Sequence, residues 1–383
     1  HADPAAIDLL AILFVLAPLN ALDSVTIAYY SVLADARAIF LRRHLMVPLL
    51  RLLAVVAVLV VGGSVHMLAA TYALVMLGGG LLNGLLLGRI LLRGGYLAGW
   101  QSRQLVLPYN DLLGFSLSLL STDLALIMYE SFLVFLLGYT HAPADVAAFQ
   151  AVRPFARLSE VVLFSFTMLF VPTVARLHER GERGSIAAVH GQTALWIAMA
   201  TFPVFAVTFG LADPLVRLAL GPSYADAGRL LVVMSLGYYI SAVTGLNLQT
   251  LKALGRIRSL ILIDLSCAVV AAGLSLLLVP RWGADGAVFA LLLVLAGDGA
   301  FSCWVLQRTT GVAAMARAHR GAWLAILAGA LVLVGVRFVP GRGLALDVAA
   351  VVAALVLVWA VGRRSLQILA IFPELGRVPL LRK

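Results

Sequence analysis

Gln150, Arg153, Arg157 and Glu160 interrupt an otherwise apolar stretch of this chain. Spacings of three and four residues place them on one face of a helix, stacked turn over turn. At membrane depth such a group is costly, since even permissive insertion scales assign about 2.5–3.5 kcal/mol to a central Arg or Asp. One reading is a cationic wall that attracts a pyrophosphate or an acidic sugar. Arg suits that task because its planar fork grips phosphate through two parallel hydrogen bonds and keeps its charge. The other reading is an internal Arg157–Glu160 pair, or a group near the outer interface whose long side chains reach the headgroups. Glu160 stands nearer to Arg157, which makes Arg153 the stronger candidate.

Asp123 and Glu130, seven residues apart, also share a helical face. They read as counter-ions to Arg153 and Arg157, or as a proton or cation site. A single acid in a membrane helix is a coupling candidate, and Asp264 and Asp298 are two such acids. Asp264 follows Arg258 by six residues and could pair at a helix end. Asp298, between Gly297 and Gly299, suits close helix packing around a partnered carboxylate as well as ion binding. Tyr238, Ser241, Thr244, Asn247 and Gln249 form a polar face, and Asn20, Asp23 and Ser24 form another. Such faces line a cavity for sugar hydroxyls, or supply interhelical hydrogen bonds worth about 0.6–2 kcal/mol each. The candidate substrate-binding set is therefore Arg153, Arg157, Gln150, Asn247 and Tyr238. The ion-coupling or counter-ion set is Asp123, Glu130, Glu160, Asp264 and Asp298.

His66 and His141 fall in outer turns, and His178 and His190 flank a basic turn; all read as solvated surface histidines. Cys267 and Cys303 lie inside apolar segments and read as small core residues. Neither the cysteines nor the histidines have metal-ligand spacing, so no metal, cofactor or disulfide is expected.

The elements that position these residues follow from composition. Hydrophobic residues make up 62% of the chain and charged residues 12%. A span needs roughly 20 apolar residues to cross about 30 Å of hydrocarbon. Eleven segments qualify: 6–33, 46–62, 66–89, 108–137, 144–175, 184–210, 224–251, 259–280, 284–307, 321–338 and 344–362. An all-α polytopic bundle is expected, with bends at Pro18, Pro172 and Pro203.

The net charge of +10 has a positional explanation. Basic clusters such as Arg37/Arg42/Arg43, Arg176/Arg180/Arg183 and Lys252/Arg256/Arg258 follow the odd-numbered segments, whereas 63–65 and 138–145 hold no Lys or Arg. The positive-inside rule makes the basic turns and the C-terminal tail cytoplasmic and puts the His1 end outside. The same charge favours anionic headgroups. No aromatic platform accompanies it, so nucleic acid is not an expected partner.

Segments one to three resemble segments seven to nine, with the basic turns at Arg37 and Arg256 and at Arg89 and Arg308 each 219 residues apart. Both copies run the same way across the membrane, a parallel repeat. Residues 1–107 read as three helices of an N-lobe, 108–310 as a six-helix C-lobe, and 311–383 as two further helices and a basic tail. Matching halves would require about three more helices, roughly 110 residues, before His1.

A succession of residues then acquires meaning as a set. Asp123 and Arg153 are followed by Leu169-Phe170-Val171-Pro172 and Arg176. Leu220-Gly221-Pro222-Ser223-Tyr224, the Ala-Leu-Gly-Arg turn at 253–256 and Asp285-Gly286-Ala287 complete the order. This order resembles the polysaccharide-transport branch of the multidrug/oligosaccharidyl-lipid/polysaccharide exporter superfamily, which includes O-antigen flippases. The resemblance covers nearly the whole chain and rests on order and spacing. It implies two lobes around a central cavity, alternating access, and a polyprenyl-pyrophosphate-linked oligosaccharide as cargo. The expected setting is the inner membrane of a bacterium, with membrane lipids and a glycan polymerase or glycosyltransferase as candidate partners. Rival readings are a drug or cation exporter, a lipid II flippase of the same superfamily, and a membrane enzyme of glycan synthesis. The longest turn, 90–107, is basic and without acids or catalytic motifs, which disfavours the enzyme.

Overall fold

The computed structural model describes residues 14, 16–33, 47–95, 131–313, 319–341, 343–363 and 365, and among them every regular element is helical. The chain divides into two compact units, His1–Leu107 and Pro108–Lys383.

In the first unit, α1 (Leu16–Leu33) and α2 (Val47–Val61) each pack on α3 (Val65–Arg93). Gly62, with φ of 68°, makes the tight turn between α2 and α3. Ser64 caps α3 by accepting the Met67 amide at 3.3 Å.

The second unit contains ten helices among its described residues. They are α4 (Ser131–Thr140), α5 (Pro143–Ala156), α6 (Leu158–Glu179), α7 (Arg183–Gly210), α8 (Ala212–Leu220), α9 (Gly228–Thr244), α10 (Leu246–Ala253), α11 (Ile257–Thr310), α12 (Arg320–Arg337) and α13 (Leu344–Gly362). Seven stretches of the described chain are long and apolar enough to span a bilayer. Their outward faces carry side chains no aqueous surface would keep, such as Leu81 at 67% exposure and Leu331 at 61%. This is a multi-pass membrane protein.

α11 is two spans. Its 54 residues would extend for about 80 Å if straight. Gly283 instead adopts φ 55°, ψ −131°, a conformation that favours glycine, and folds the helix into a hairpin. The fold-back is visible in the side chains: Cys267 lies 3.3 Å from Asp298, 31 residues away. The segments expected at 259–280 and 284–307 are its two limbs. The seventh segment is also interrupted, at Gly245, where α9 gives way to α10. The 211–223 connection, read from sequence as a turn, contains the short amphipathic helix α8, with Ala212 and Val216 buried and Leu218 at 88% exposure.

The arginine-poor turns of this unit gather at one end. A Cβ on Gly283 would meet the His141 ring at 2.9 Å. Arg229 pairs with Asp285 at 3.1 Å, and Arg337 with Asp213 at 3.5 Å. Arg337 also donates to the Phe209 carbonyl at 2.7 Å, satisfying one of the open carbonyls at the end of α7. The arginine-rich turns gather at the other end: His178, Arg183, Leu254, Arg256 and Thr310 line one cavity.

Three apolar clusters hold the helices together. Leu137, Phe149, Val152, Leu231, Met234 and Val288 join α4, α5, α9 and α11. Phe202 and Phe205 of α7 pack against Tyr239 of α9 and against Leu333, Val351 and Ala354 of the last two helices. The third contains Leu163, Ile197, Leu246, Ile263 and Leu306. Gly237 permits a close approach of α9 to α11, for a Cβ there would lie 3.3 Å from the Leu292 backbone. Backbone cannot yield as a side-chain tip does. Gly237→Leu is expected to cost about 1–3 kcal/mol by overpacking, read as a lowered melting temperature of the detergent-purified protein.

Candidate functional site

The arginine group sits where the helix carrying it breaks. α5 begins with Pro143 at its first position and Asp145 in its first turn, both favourable at a helix amino end. Pro154 then removes a backbone donor inside the helix. Arg157 occupies the junction with φ −73°, ψ −6°, accepted by neither helix proper. Its amide bonds to the Arg153 carbonyl at 3.0 Å, and the next bond, from the Glu160 amide to the Arg157 carbonyl at 2.9 Å, has the tighter three-residue step. The single segment expected over 144–175 is therefore two helices, divided at Arg157, with Pro172 inside the second.

The side chains of this group meet. The Arg157 Nε donates to Glu160 Oε2 at 2.8 Å. The Arg153 Nε donates to the Tyr238 hydroxyl of α9 at 3.3 Å, and its Nη1 reaches Gln150 Oε1 at 3.5 Å. The Arg157 guanidinium carbon lies 5.9 Å from the centroid of the same tyrosine ring, in cation–π range. Both arginines have further interactions besides these. Tyr238 is 2% exposed, whereas the side chains of Arg157 and Glu160 are 41% and 20% exposed. A buried phenol thus orders two guanidinium groups, and the Arg157 side chain is 41% exposed. Phe149, Val152 and Ala156, on the adjoining face of α5, are buried in the first apolar cluster.

Depth follows from Tyr238. It lies ten residues, about 15 Å, from Gly228 at one end of its span and fourteen, about 21 Å, from Lys252 at the other. The group is near the middle of the span rather than in its flanks. The structure therefore brings together Gln150, Arg153, Arg157, Glu160 and Tyr238.

Asn247 is not part of this group. It is 2% exposed, and its amide nitrogen donates to Ser302 Oγ at 3.3 Å and to Cys303 Sγ at 3.1 Å. Asp298, a turn away from Ser302 on the same limb, accepts from Cys267 at 3.3 Å. These contacts form a polar seam between α10 and the limbs of α11. Asp264 is partly buried on the first limb and has a partner of its own. Asp123 and Glu130 lie outside the described residues, as do the side chains of Asp23 and Ser24.

His190 corrects the sequence reading. It is fully buried, two turns into α7, with Nδ1 2.9 Å from Thr250 Oγ1 and its ring edge toward Phe170. Helical phase points it inward although the turn beside it is solvated. Sequence reasoning also passed over Arg51. Its guanidinium carbon lies 5.2 Å from the Tyr72 ring centroid, with Nη2 3.2 Å from Met76 Sδ. The signal was present as a lone cation in the apolar run Val47–Val61.

Comparison with known proteins agrees with this architecture. A family model described as polysaccharide biosynthesis protein matches residues 2–229. Among solved structures, the lipid II flippase MurJ in an inward closed conformation superposes with a TM-score of 0.60 at 9% sequence identity. That match covers 84% of this chain and 66% of MurJ, so the chain spans just under two thirds of that protein's length. No curated protein matches the chain in sequence. The order of motifs, the helical hairpins and the matched residues converge: the chain belongs to the polysaccharide biosynthesis protein family.

Proposed function

We propose that this protein is a flippase-type transporter that moves a polyprenyl-pyrophosphate-linked oligosaccharide across the cytoplasmic membrane by alternating access. The observation that carries the reading is the pair Arg153 and Arg157, ordered on Tyr238 near mid-span, with the Arg157 side chain 41% exposed. Such a pair offers an anionic headgroup two planar forks at a depth where water competes weakly. The prenyl tail remains among the lipids while the charged headgroup crosses along the protein. Glu160 serves as the counter-ion that keeps Arg157 oriented when the cargo has left. Asp298 and Asp264 are the nearest described candidates for a coupling site, with Asp123 and Glu130 as further ones. The arginine-rich end of the second unit is cytoplasmic on the positive-inside rule, and chemistry on the glycan belongs to partner enzymes.

A second reading, translocation of lipid II, is favoured by the fold shared with the lipid II flippase MurJ. Both cargoes present a diphosphate, so the arginines serve either. The glycan distinguishes them, and reconstituted vesicles loaded with one or the other lipid-linked substrate decide between the two.

Arg153→Ala removes one guanidinium and is expected to lower translocation roughly ten- to a hundredfold, the equivalent of about 1.5–3 kcal/mol for a charged hydrogen bond. The check is translocation of the lipid-linked oligosaccharide in proteoliposomes, with the membrane content of protein held equal. Transport at the unmodified rate would remove the reading. Arg153→Lys keeps the charge without the fork and should recover only part of the activity. Tyr238→Phe keeps the ring beneath Arg157 but removes the hydroxyl that Arg153 binds. It is expected to slow transport about three- to tenfold, in keeping with one hydrogen bond of about 1 kcal/mol.

A further inference from the structure

The arginine-rich end of the second unit contains a cavity of about 200 Å³, lined by His178 from the end of α6, Arg183 from the first turn of α7, Arg256 from the turn before α11, and Thr310 from the end of α11. Buried Ile186 and Val312 line it from within. The space corresponds to roughly six waters. Two features make it a site for an anion.

The first is its charge. Two guanidinium groups and an imidazole line it from two turns, His178 and Arg183 flanking one and Arg256 lying in the other, and among the described residues none of the three forms an ion pair or a side-chain hydrogen bond. The acids nearest in sequence are Glu179 and Glu182; both are exposed and keep their charge, Glu182 also accepting the Ser185 hydroxyl at 3.0 Å, and neither lines the cavity. The Thr310 hydroxyl is committed to the Leu306 carbonyl, so the cations dominate the chemistry. The carboxyl end of α11 contributes a partial negative charge of about one half, which two guanidiniums outweigh, and the amino end of α7 adds to the positive side.

The second is its level. The lining residues stand at or just beyond the ends of the spans α6, α7 and α11, the level at which headgroup phosphates are expected. His178 is eighteen residues beyond Glu160, about 27 Å along α6, so this is not the Arg153 group.

We infer that the cavity binds a phosphate group at the membrane boundary, supplied by an anionic lipid headgroup or by free phosphate. The inference goes beyond the transport reading and holds whichever cargo crosses.

The test uses the full chain, purified and delipidated in detergent, then titrated with short-chain phosphatidylglycerol, short-chain phosphatidylcholine or inorganic phosphate. Lipid adducts are counted by native mass spectrometry. Phosphatidylglycerol should bind saturably where phosphatidylcholine does not, and R183Q/R256Q should weaken that binding at least about tenfold. The control R176Q/R180Q removes two arginines from the same end that do not line the cavity, and should leave binding within about twofold. If R183Q/R256Q is not monodisperse, the single variant Arg256→Gln, at an exposed position, should still weaken binding about threefold. Competition by millimolar inorganic phosphate assigns the site to free phosphate, and its absence assigns it to the headgroup. Equal losses in the two double variants, or none in either, would overturn the inference, because binding would then follow general surface charge.

Discussion

A guanidinium group in the middle of a membrane span has to be solvated by its own protein, and that requirement organises the second unit around Tyr238. The phenol supplies a hydrogen-bond acceptor to Arg153 and a π-face to Arg157, while Glu160 supplies the opposite charge. Together these partners hold two cations in place, and both arginines make further interactions besides. An arrangement of this kind adds little to stability, since partly exposed ion pairs contribute at most about 1 kcal/mol. It is well suited to receiving an anion from outside.

Backbone irregularity is the means by which the bundle provides such positions. In hydrocarbon every amide and carbonyl must find an internal partner, so a break is tolerated only where neighbouring protein compensates. Here the breaks coincide with polar features: Pro154 and Arg157 lie within the arginine group, Gly245 lies between Tyr238 and Asn247, and Gly283 turns α11 back so that Cys267 meets Asp298. Apolar packing elsewhere is regular and is carried by large side chains such as Phe202 and Phe205. Order in the apolar clusters permits the departures from it.

Much of this was legible in the residues themselves. Length and apolarity locate most spans to within a few residues, because the bilayer sets both. The alternation of basic and non-basic turns anticipates which turns share an end of the second unit, as the meeting of Arg183 with Arg256 and of Asp213 with Arg337 confirms. Spacing anticipated that Gln150, Arg153, Arg157 and Glu160 would be neighbours. It could not find Tyr238 as their common partner, 85 residues from Arg153, since helix adjacency across a bundle has no local signature. It placed His190 in solvent because the adjoining turn is solvated, whereas burial follows helical phase, which one residue decides. Asn247 illustrates the same limit: a polar residue facing inward can line a water-filled space or bind a neighbouring helix, and only the position of Ser302 distinguishes the two.

The sharing of one tyrosine by two arginines has a thermodynamic corollary. Arg153 and Arg157 are not independent contributors, because each is oriented against the same side chain and each feels the other's field. Energies assigned to them one at a time will fail to add, and a double-mutant cycle through Tyr238 is the appropriate unit of measurement. Natural variation at any one of these positions is therefore expected to be tolerated only in combination with change at the others.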